Sequence, residues 1–299
     1  MKFITSANKA QFKFARSLTA HYAKSFYLSA AFLPREKRWA TYALYGFCRY
    51  VDNLIDTPRD RTAQETGREL DYIVKEIEIG YRTGESQHPI IGPFLTVARY
   101  YAIPPDLPLD LIEGVRMDTH KQRYADFGEL YQFAYRVAGV VGLMMTPVLG
   151  YKDLSALIPA EKLGIAMQLT NILRDIQEDK NMDRIYLPLD EIDRFNVNLR
   201  DLLAENFTPE IRALVKFQVE RAHSYYNQAD TGIKLLSRDA QFPIYSASKI
   251  YRGILKKIEL RNYNPFLGRV FVPQRKKIMI LSGEILRSRI FSFFPEVVK

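Results

Sequence analysis

Glu36 to Ile55 reads EKRWATYALYGFCRYVDNLI, and the spacing of this stretch decides the fold class. It continues for about five turns with Gly46 as its only Gly or Pro. Pro34 stands just before it, as at a helix start, and Thr57-Pro58 follows, where a helix must stop. On a helical period Tyr45, Arg49, Asp52 and Asp56 fall within an arc of roughly 60°. Large apolar residues surround them: Tyr42, Leu44, Phe47, Val51, Leu54 and Ile55. The stretch is predicted to be one long helix whose polar stripe carries two carboxylates one turn apart.

The same period recurs along the chain. Helical stretches are expected at Glu65–Tyr81, Pro89–Tyr101, Leu109–Met117, Phe127–Leu149, Ala160–Lys180, Arg200–Glu205, Pro209–Leu236, Pro243–Tyr263 and Gln274–Ser288. Prolines fall mostly between them, and no region alternates long enough for a sheet. There is no internal repeat and no dividing linker. Residues 1–299 therefore read as a single all-α domain of antiparallel helices.

Ala160–Lys180 repeats the polar stripe. Gln168, Asn171, Asp175 and Asp179 fall within roughly 80° of one another beside an apolar row of Ile165, Leu169, Ile172 and Ile176. An acidic i,i+4 pair weakens a helix by ~0.2–0.5 kcal/mol and is common on solvated faces. Two such pairs in long apolar helices point instead to bound cations. Carboxylate and amide oxygens are hard ligands that suit Mg²⁺ or Mn²⁺. Two facing stripes would hold such ions against a diphosphate, with Arg49 and Arg174 taking its remaining charge. A diphosphate leaving an allylic carbon leaves a carbocation, which needs a dry, aromatic-lined pocket. The 19 Tyr and 18 Phe permit one.

Composition narrows the alternatives. Of 299 residues, 47% are hydrophobic and 26% charged, which excludes a disordered chain. The single cysteine, Cys48, excludes an internal disulfide framework, fits a reducing compartment, and reads as packing. His21, His88, His120 and His223 are too scattered for a local metal motif. The N-terminus has no apolar core of signal-peptide length. The weakly polar run Val137–Gly150 is broken by Pro147 and is shorter than the ~20 residues of a span. The net charge of +9 lies wholly in residues 249–299. That region could serve a helical nucleic-acid-binding protein, but such a function leaves both aspartate stripes without a purpose. No nucleic-acid partner is expected.

Four blocks resemble the squalene and phytoene synthase family, in the family's order. SFYLSAAFLPREKRWATYALYGFCRYVDNLID (Ser25 to Asp56) is similar to its opening, and QLTNILRDIQED (Gln168 to Asp179) followed by RIYLP (Arg184 to Pro188) to its second aspartate motif. RYADFGELYQFAYRVAGVVGLMM (Arg123 to Met145) resembles its central helix, and YRGILKKIELRNYNPFLGRVFVP (Tyr251 to Pro273) its closing segment. The resemblance implies the class I isoprenoid synthase helical fold with a central cavity. It also implies head-to-head condensation of two prenyl diphosphates through a cyclopropylcarbinyl diphosphate. Carried over, Asp52 and Asp56 are the first Mg²⁺ motif and Asn171, Asp175 and Asp179 the second. Tyr22, Ser25, Tyr45, Arg49, Gln168, Arg174 and Tyr251 match diphosphate- or substrate-contacting positions, Phe26 a pocket aromatic, and Arg269 a basic residue. Asp118 and Arg123-Tyr124 also recur in the family pattern; an ion pair explains them equally well. Asn53 departs from the frequent second aspartate, and ~100° of helix rotation puts it outside the first metal shell.

The wording of the first and last blocks is most similar to bacterial phytoene synthases. Two geranylgeranyl diphosphates giving phytoene, with proton loss and no NADPH, is the expected reaction. The alternative is two farnesyl diphosphates giving dehydrosqualene, squalene or hydroxysqualene. Such oily ligands imply exchange with a bilayer. A cytoplasmic protein touching an anionic inner-membrane surface is expected, through Arg275, Lys276, Lys277, Arg287 and Arg289, with Phe291, Phe293 and Phe294 at the interface.

Overall fold

Arg35–Asp56 forms one unbroken helix, α3, in a computed structural model that describes residues 2–56, 62–277 and 279–283. Two helices precede it that the apolar spacing did not indicate, α1 (Lys9–Tyr22) and α2 (Lys24–Ala30). Then come α4 (Ala63–Thr83), α5 (Ile91–Tyr100) and α6 (Asp106–Asp118). A continuous helical segment follows, made of α7 (Phe127–Ala134), a wider π turn (Tyr135–Gly139) and α8 (Val140–Leu149). Beyond it lie α9 (Leu157–Asn181), two short helices α10 (Leu189–Arg194) and α11 (Leu199–Leu203), α12 (Pro209–Ile233) and α13 (Arg238–Leu260). Among the described residues there is no strand, only two isolated bridges.

Local chemistry sets several boundaries. Thr62 and Glu65 form a reciprocal capping box at the start of α4. Thr208 accepts the Ile211 N–H, with Pro209 in the first turn of α12, where its missing donor costs nothing. Asp126 caps α7 in the same way through the Glu129 N–H.

The apolar faces meet in two cores. The first is built on α3, with Leu44, Phe47 and Val51 fully enclosed against Leu70, Ile73 and Ile77 of α4 and Phe94 of α5. The second is built on α9, whose Ile165, Leu169, Ile172 and Ile176 pack with Leu214, Val215, Val219 and Tyr226 of α12. The α9–α12 pairing is the most extensive in the fold. Residues 127–149 cross between the cores. By length and composition this segment is apolar enough to cross a membrane, yet half of its most apolar stretch is buried in the fold. Its contact with α9 is unusually close. A Cβ at Gly164 would lie 2.1 Å from the Ala138 carbonyl oxygen, and one at Gly142 2.2 Å from that of Ala160. Only glycine lets the two backbones approach this far.

Candidate active site

A cavity of about 620 Å³ lies between the two cores. Its walls come from α3, residues 137–149, α9, the C-terminal end of α12, the middle of α13, and the α1–α2 junction. Polar groups gather at one end: Arg49 and Asp52 from α3, Gln168, Asn171 and Arg174 from α9, and Arg269 from the segment after α13. The rest is almost wholly apolar, passing Leu44, Val141, Met145 and Leu163 to Leu149 and Leu236.

The aromatic residues cluster near the polar end. Phe26 stacks on Tyr45 with ring centroids 5.1 Å apart, and the Arg49 guanidinium lies 4.7 Å from the Tyr22 ring centroid. Tyr251 lines the same space. Burial pushes the Tyr45 hydroxyl up, with Tyr251 and Asp52 adding to it, so it stays protonated at neutral pH.

Ten of the residues singled out in the sequence therefore line one cavity: Tyr22, Phe26, Tyr45, Arg49, Asp52, Gln168, Asn171, Arg174, Tyr251 and Arg269. The side chains of Ser25 and Asp56 lie outside those described. Asp175 and Asp179 lie behind the lining. The Asp175 carboxylate accepts from Arg174 Nε and Nη2 at 2.8 and 2.6 Å. It accepts also from Arg269, at 3.1 and 3.2 Å. Arg174, expected from its position to face a diphosphate, is thus turned toward its neighbouring carboxylate while still touching the cavity. Asp179 borders a small pocket with Arg184 and Tyr186. Burial, the Asp175 charge and the Asp118 charge push its carboxyl up to about 7.

Among the described residues no three His, Cys, Asp or Glu side chains converge as a metal centre. One atom nevertheless fits a hard cation. Asn171 Oδ1 is buried without a hydrogen-bond partner at the cavity wall, while its amide nitrogen donates to Gln168 Oε1 at 3.3 Å. A buried acceptor left unpaired costs ~1–3 kcal/mol unless a ligand satisfies it.

Other features have structural roles. Asp118 pairs with Arg184 at 3.3 Å, and Arg123 with Asp183 at 2.7 Å. Cys48 is buried, and burial pushes its thiol well up, which makes it inert. Lys24 and His21 also line the cavity; the sequence sets His21 aside as a metal ligand and gives Lys24 no role. Their signal was adjacency: Lys24 immediately precedes the first family-like block.

The sequence and fold have counterparts among known proteins. The squalene/phytoene synthase family model matches residues 19–276. A 15-cis-phytoene synthase of Synechocystis sp. is 39% identical over 93% of this chain and 86% of its own. Another, from Synechococcus elongatus, is 39% identical over 92% of each. Among solved structures, a dehydrosqualene synthase superposes with a TM-score of 0.85 at 28% identity, covering 95% of this chain and 98% of its own. A squalene synthase from Alicyclobacillus acidocaldarius gives 0.81 at 25% identity, over 89% and 99%. Match in sequence along nearly the whole length, and in fold, leaves one conclusion: the chain belongs to the squalene/phytoene synthase family.

Proposed function

We propose that this chain joins two geranylgeranyl diphosphates head to head to form phytoene, a step of carotenoid biosynthesis. The observation that carries this reading is a cavity with guanidinium, carboxylate and amide groups at one end and a long apolar remainder, in a chain 39% identical to 15-cis-phytoene synthases. Its volume is within the ~300–1,000 Å³ of small-molecule sites.

The chemistry follows from the residues. Arg49 places a delocalised cation at the diphosphate end, and Arg174 and Arg269, whose paired N–H groups are held by Asp175, add positive charge to the same wall. The C1–O bond of one substrate breaks and its electron pair leaves with diphosphate. The π pair of the second substrate's C2–C3 double bond attacks C1, and proton loss closes a cyclopropylcarbinyl diphosphate. The second C–O bond breaks, the ring opens with rearrangement to a 1–1′ link, and a second proton loss leaves the central double bond. Two diphosphates and two protons are released. No hydride enters, so no NADPH is required. The stacked rings of Phe26 and Tyr45 stabilise positive charge through their faces, and the apolar walls exclude the water that would quench it.

Asp52, Asp56, Asn171, Asp175 and Asp179 would hold divalent cations, Mg²⁺ with Mn²⁺ as a substitute. The all-oxygen donor set and the unpartnered Asn171 Oδ1 support this. Such ions supply charge neutralisation to the departing diphosphate.

Residues 1–299 work as one unit, and we place it on the cytoplasmic face of an anionic membrane. Leu267, Phe271 and Met279 are more than half exposed near the cavity-lining Arg269 and the cations Arg275 and Lys276. Burial and the neighbouring Lys24 pull Lys277 down, as in a crowded basic patch. Arg287, Arg289, Phe291, Phe293 and Phe294 lie outside the described residues.

The deciding assay supplies purified protein and Mg²⁺ with geranylgeranyl diphosphate, and separately with farnesyl diphosphate, each with and without NADPH. Phytoene and diphosphate from the first substrate without NADPH are expected. A product that forms only with NADPH would defeat the reading.

A further inference from the structure

We propose that Arg269 is a latch on Asp175, released by diphosphate, and that this latch couples cation binding to diphosphate binding. The proposal rests on the substrate class and the cation-holding role of Asp175 given above.

The latch is read from donors and acceptors. A carboxylate has about four lone-pair sites. Four guanidinium nitrogens lie within 3.2 Å of the two Asp175 oxygens. Oδ1 accepts from Arg174 Nε at 2.8 Å and has Arg269 Nε at 3.1 Å. Oδ2 accepts from Arg174 Nη2 at 2.6 Å and from Arg269 Nη2 at 3.2 Å. Each oxygen is shared between two forks, so Asp175 can take a cation only after one fork lets go. One turn earlier on α9, Asn171 Oδ1 is buried without a hydrogen-bond partner. One helix face thus carries an oxygen ready for a hard cation and a carboxylate already engaged.

Burial decides which guanidinium moves. The Arg174 side chain is 16% exposed, and its leaving Asp175 would strand a buried charge. The Arg269 side chain is 50% exposed and has a second carboxylate, Glu178, at 3.3 Å from its Nη1. Arg269 also lines the cavity, where diphosphate oxygens offer its fork a matching acceptor. The strap after α13 aims it. Arg261 Nη1 donates to the Leu267 and Gly268 carbonyls at 3.0 and 2.6 Å, and the Gly268 N–H donates to Gln177 Oε1 of α9 at 3.1 Å. Arg269 is therefore held beside Asp175 by contacts outside the cavity. Diphosphate draws the fork away and frees the carboxylate. By linkage, a cation held by Asp175 raises the affinity for diphosphate by the same factor, and such couplings are typically ~5–150-fold.

The test reads cation affinity rather than turnover. Mn²⁺ binding to the purified protein is measured by equilibrium dialysis, without diphosphate and with saturating inorganic diphosphate at matched free Mn²⁺. Without diphosphate, Arg269→Gln should bind Mn²⁺ ~5-fold or more tighter than wild type. Arg261→Gln loosens the strap from outside the cavity and should shift the affinity in the same direction. Lys24→Gln removes an equal charge from the cavity lining without touching Asp175, and its affinity should stay at the wild-type value. Diphosphate should tighten Mn²⁺ binding more in wild type than in Arg269→Gln. Far-UV circular dichroism establishes that each variant is folded, and if Arg269→Gln does not fold, Arg261→Gln decides. Wild-type affinity in both arginine variants, or an equal gain in Lys24→Gln, would overturn the latch. A wild-type protein that binds no Mn²⁺ even with diphosphate present would instead overturn the reading on which it rests.

Discussion

Replacing Gly164 by alanine tests the contact that aims α9 into the cavity. The added Cβ would stand 2.1 Å from the Ala138 oxygen, 2.6 Å from its carbonyl carbon and 3.0 Å from Gly139 Cα. All three are backbone atoms, so no rotamer change relieves the clash. Ordinary contact begins near 3.4 Å, and the two helices must separate by about 1 Å. Overpacking of this kind costs ~1–3 kcal/mol, while alanine gains up to ~1 kcal/mol of helix propensity. Gly67 supplies the reference, because it lies within α4 and a Cβ there meets nothing within 4 Å. Gly67→Ala should stabilise by the propensity gain alone. The propensity gain is common to both, so at ~2–4 °C per kcal/mol the two variants should melt ~2–12 °C apart. Gln168, Asn171 and Asp175 share the helix face of Gly164, so a 1 Å shift misplaces them together. Turnover should fall ~10²-fold in Gly164→Ala and stay unchanged in Gly67→Ala. Thermal melts and steady-state rates check both halves. Equal melting temperatures with wild-type turnover would refute the close approach of the two backbones.

Asp52→Asn or Asp175→Asn should remove most turnover with the helical circular-dichroism spectrum intact, because a cation–diphosphate clamp contributes several kcal/mol, ~10³-fold or more; wild-type rates in both would reduce these residues to a structural role. His88 supplies a pH dependence. Its Nδ1 accepts the Ile90 and Ile91 N–H groups at 3.3 and 3.1 Å, and burial lowers its pKa against the opposing pull of Glu76 and Glu69. Between that lowered value and the unfolded 6.5 the unfolded chain binds more protons, so stability is lost as pH falls below about 6.5; denaturant midpoints for wild type and His88→Asn, which keeps an acceptor without the titration, should diverge only there. Arg275, Lys276 and Lys277 all changed to Gln should weaken co-sedimentation with anionic vesicles, and salt should weaken wild-type binding likewise; equal binding to neutral vesicles would remove the electrostatic anchor.

Periodic apolar spacing made the long helices legible, because α3, α4, α9 and α12 bury wide stripes of large side chains. It failed at α1, whose buried face is Phe12, Ala15 and Thr19 and therefore carries little hydrophobic contrast. It failed again at α10, where only Glu191 and Ile192 are buried and the Glu191 carboxylate pairs with Arg221 and accepts a hydrogen bond from Gln218 of α12. Pro243 was read as a helix start, yet α13 begins at Arg238; near a helix end the ring forfeits only one backbone bond. The site divides along the same line. Residues on one helix face were legible from spacing alone, as Gln168 and Asn171 were. The embrace of Asp175 by Arg269 was not, since 94 residues separate them and only the packing of the chain after α13 onto α9 brings them together.

Two walls of the cavity come from helices of different hydrophobic cores, α3, which carries Asp52, and α9, which carries Asn171. A molecule spanning the cavity is then a strut between two packing units. Its binding free energy is added to any opening that parts the cores, and to none that leaves both walls in place. Slow hydrogen exchange should spread on ligand binding to amides of α5 and α12, neither of which need touch the ligand's reacting end. Occupancy of the cavity becomes a property felt by the whole helical array.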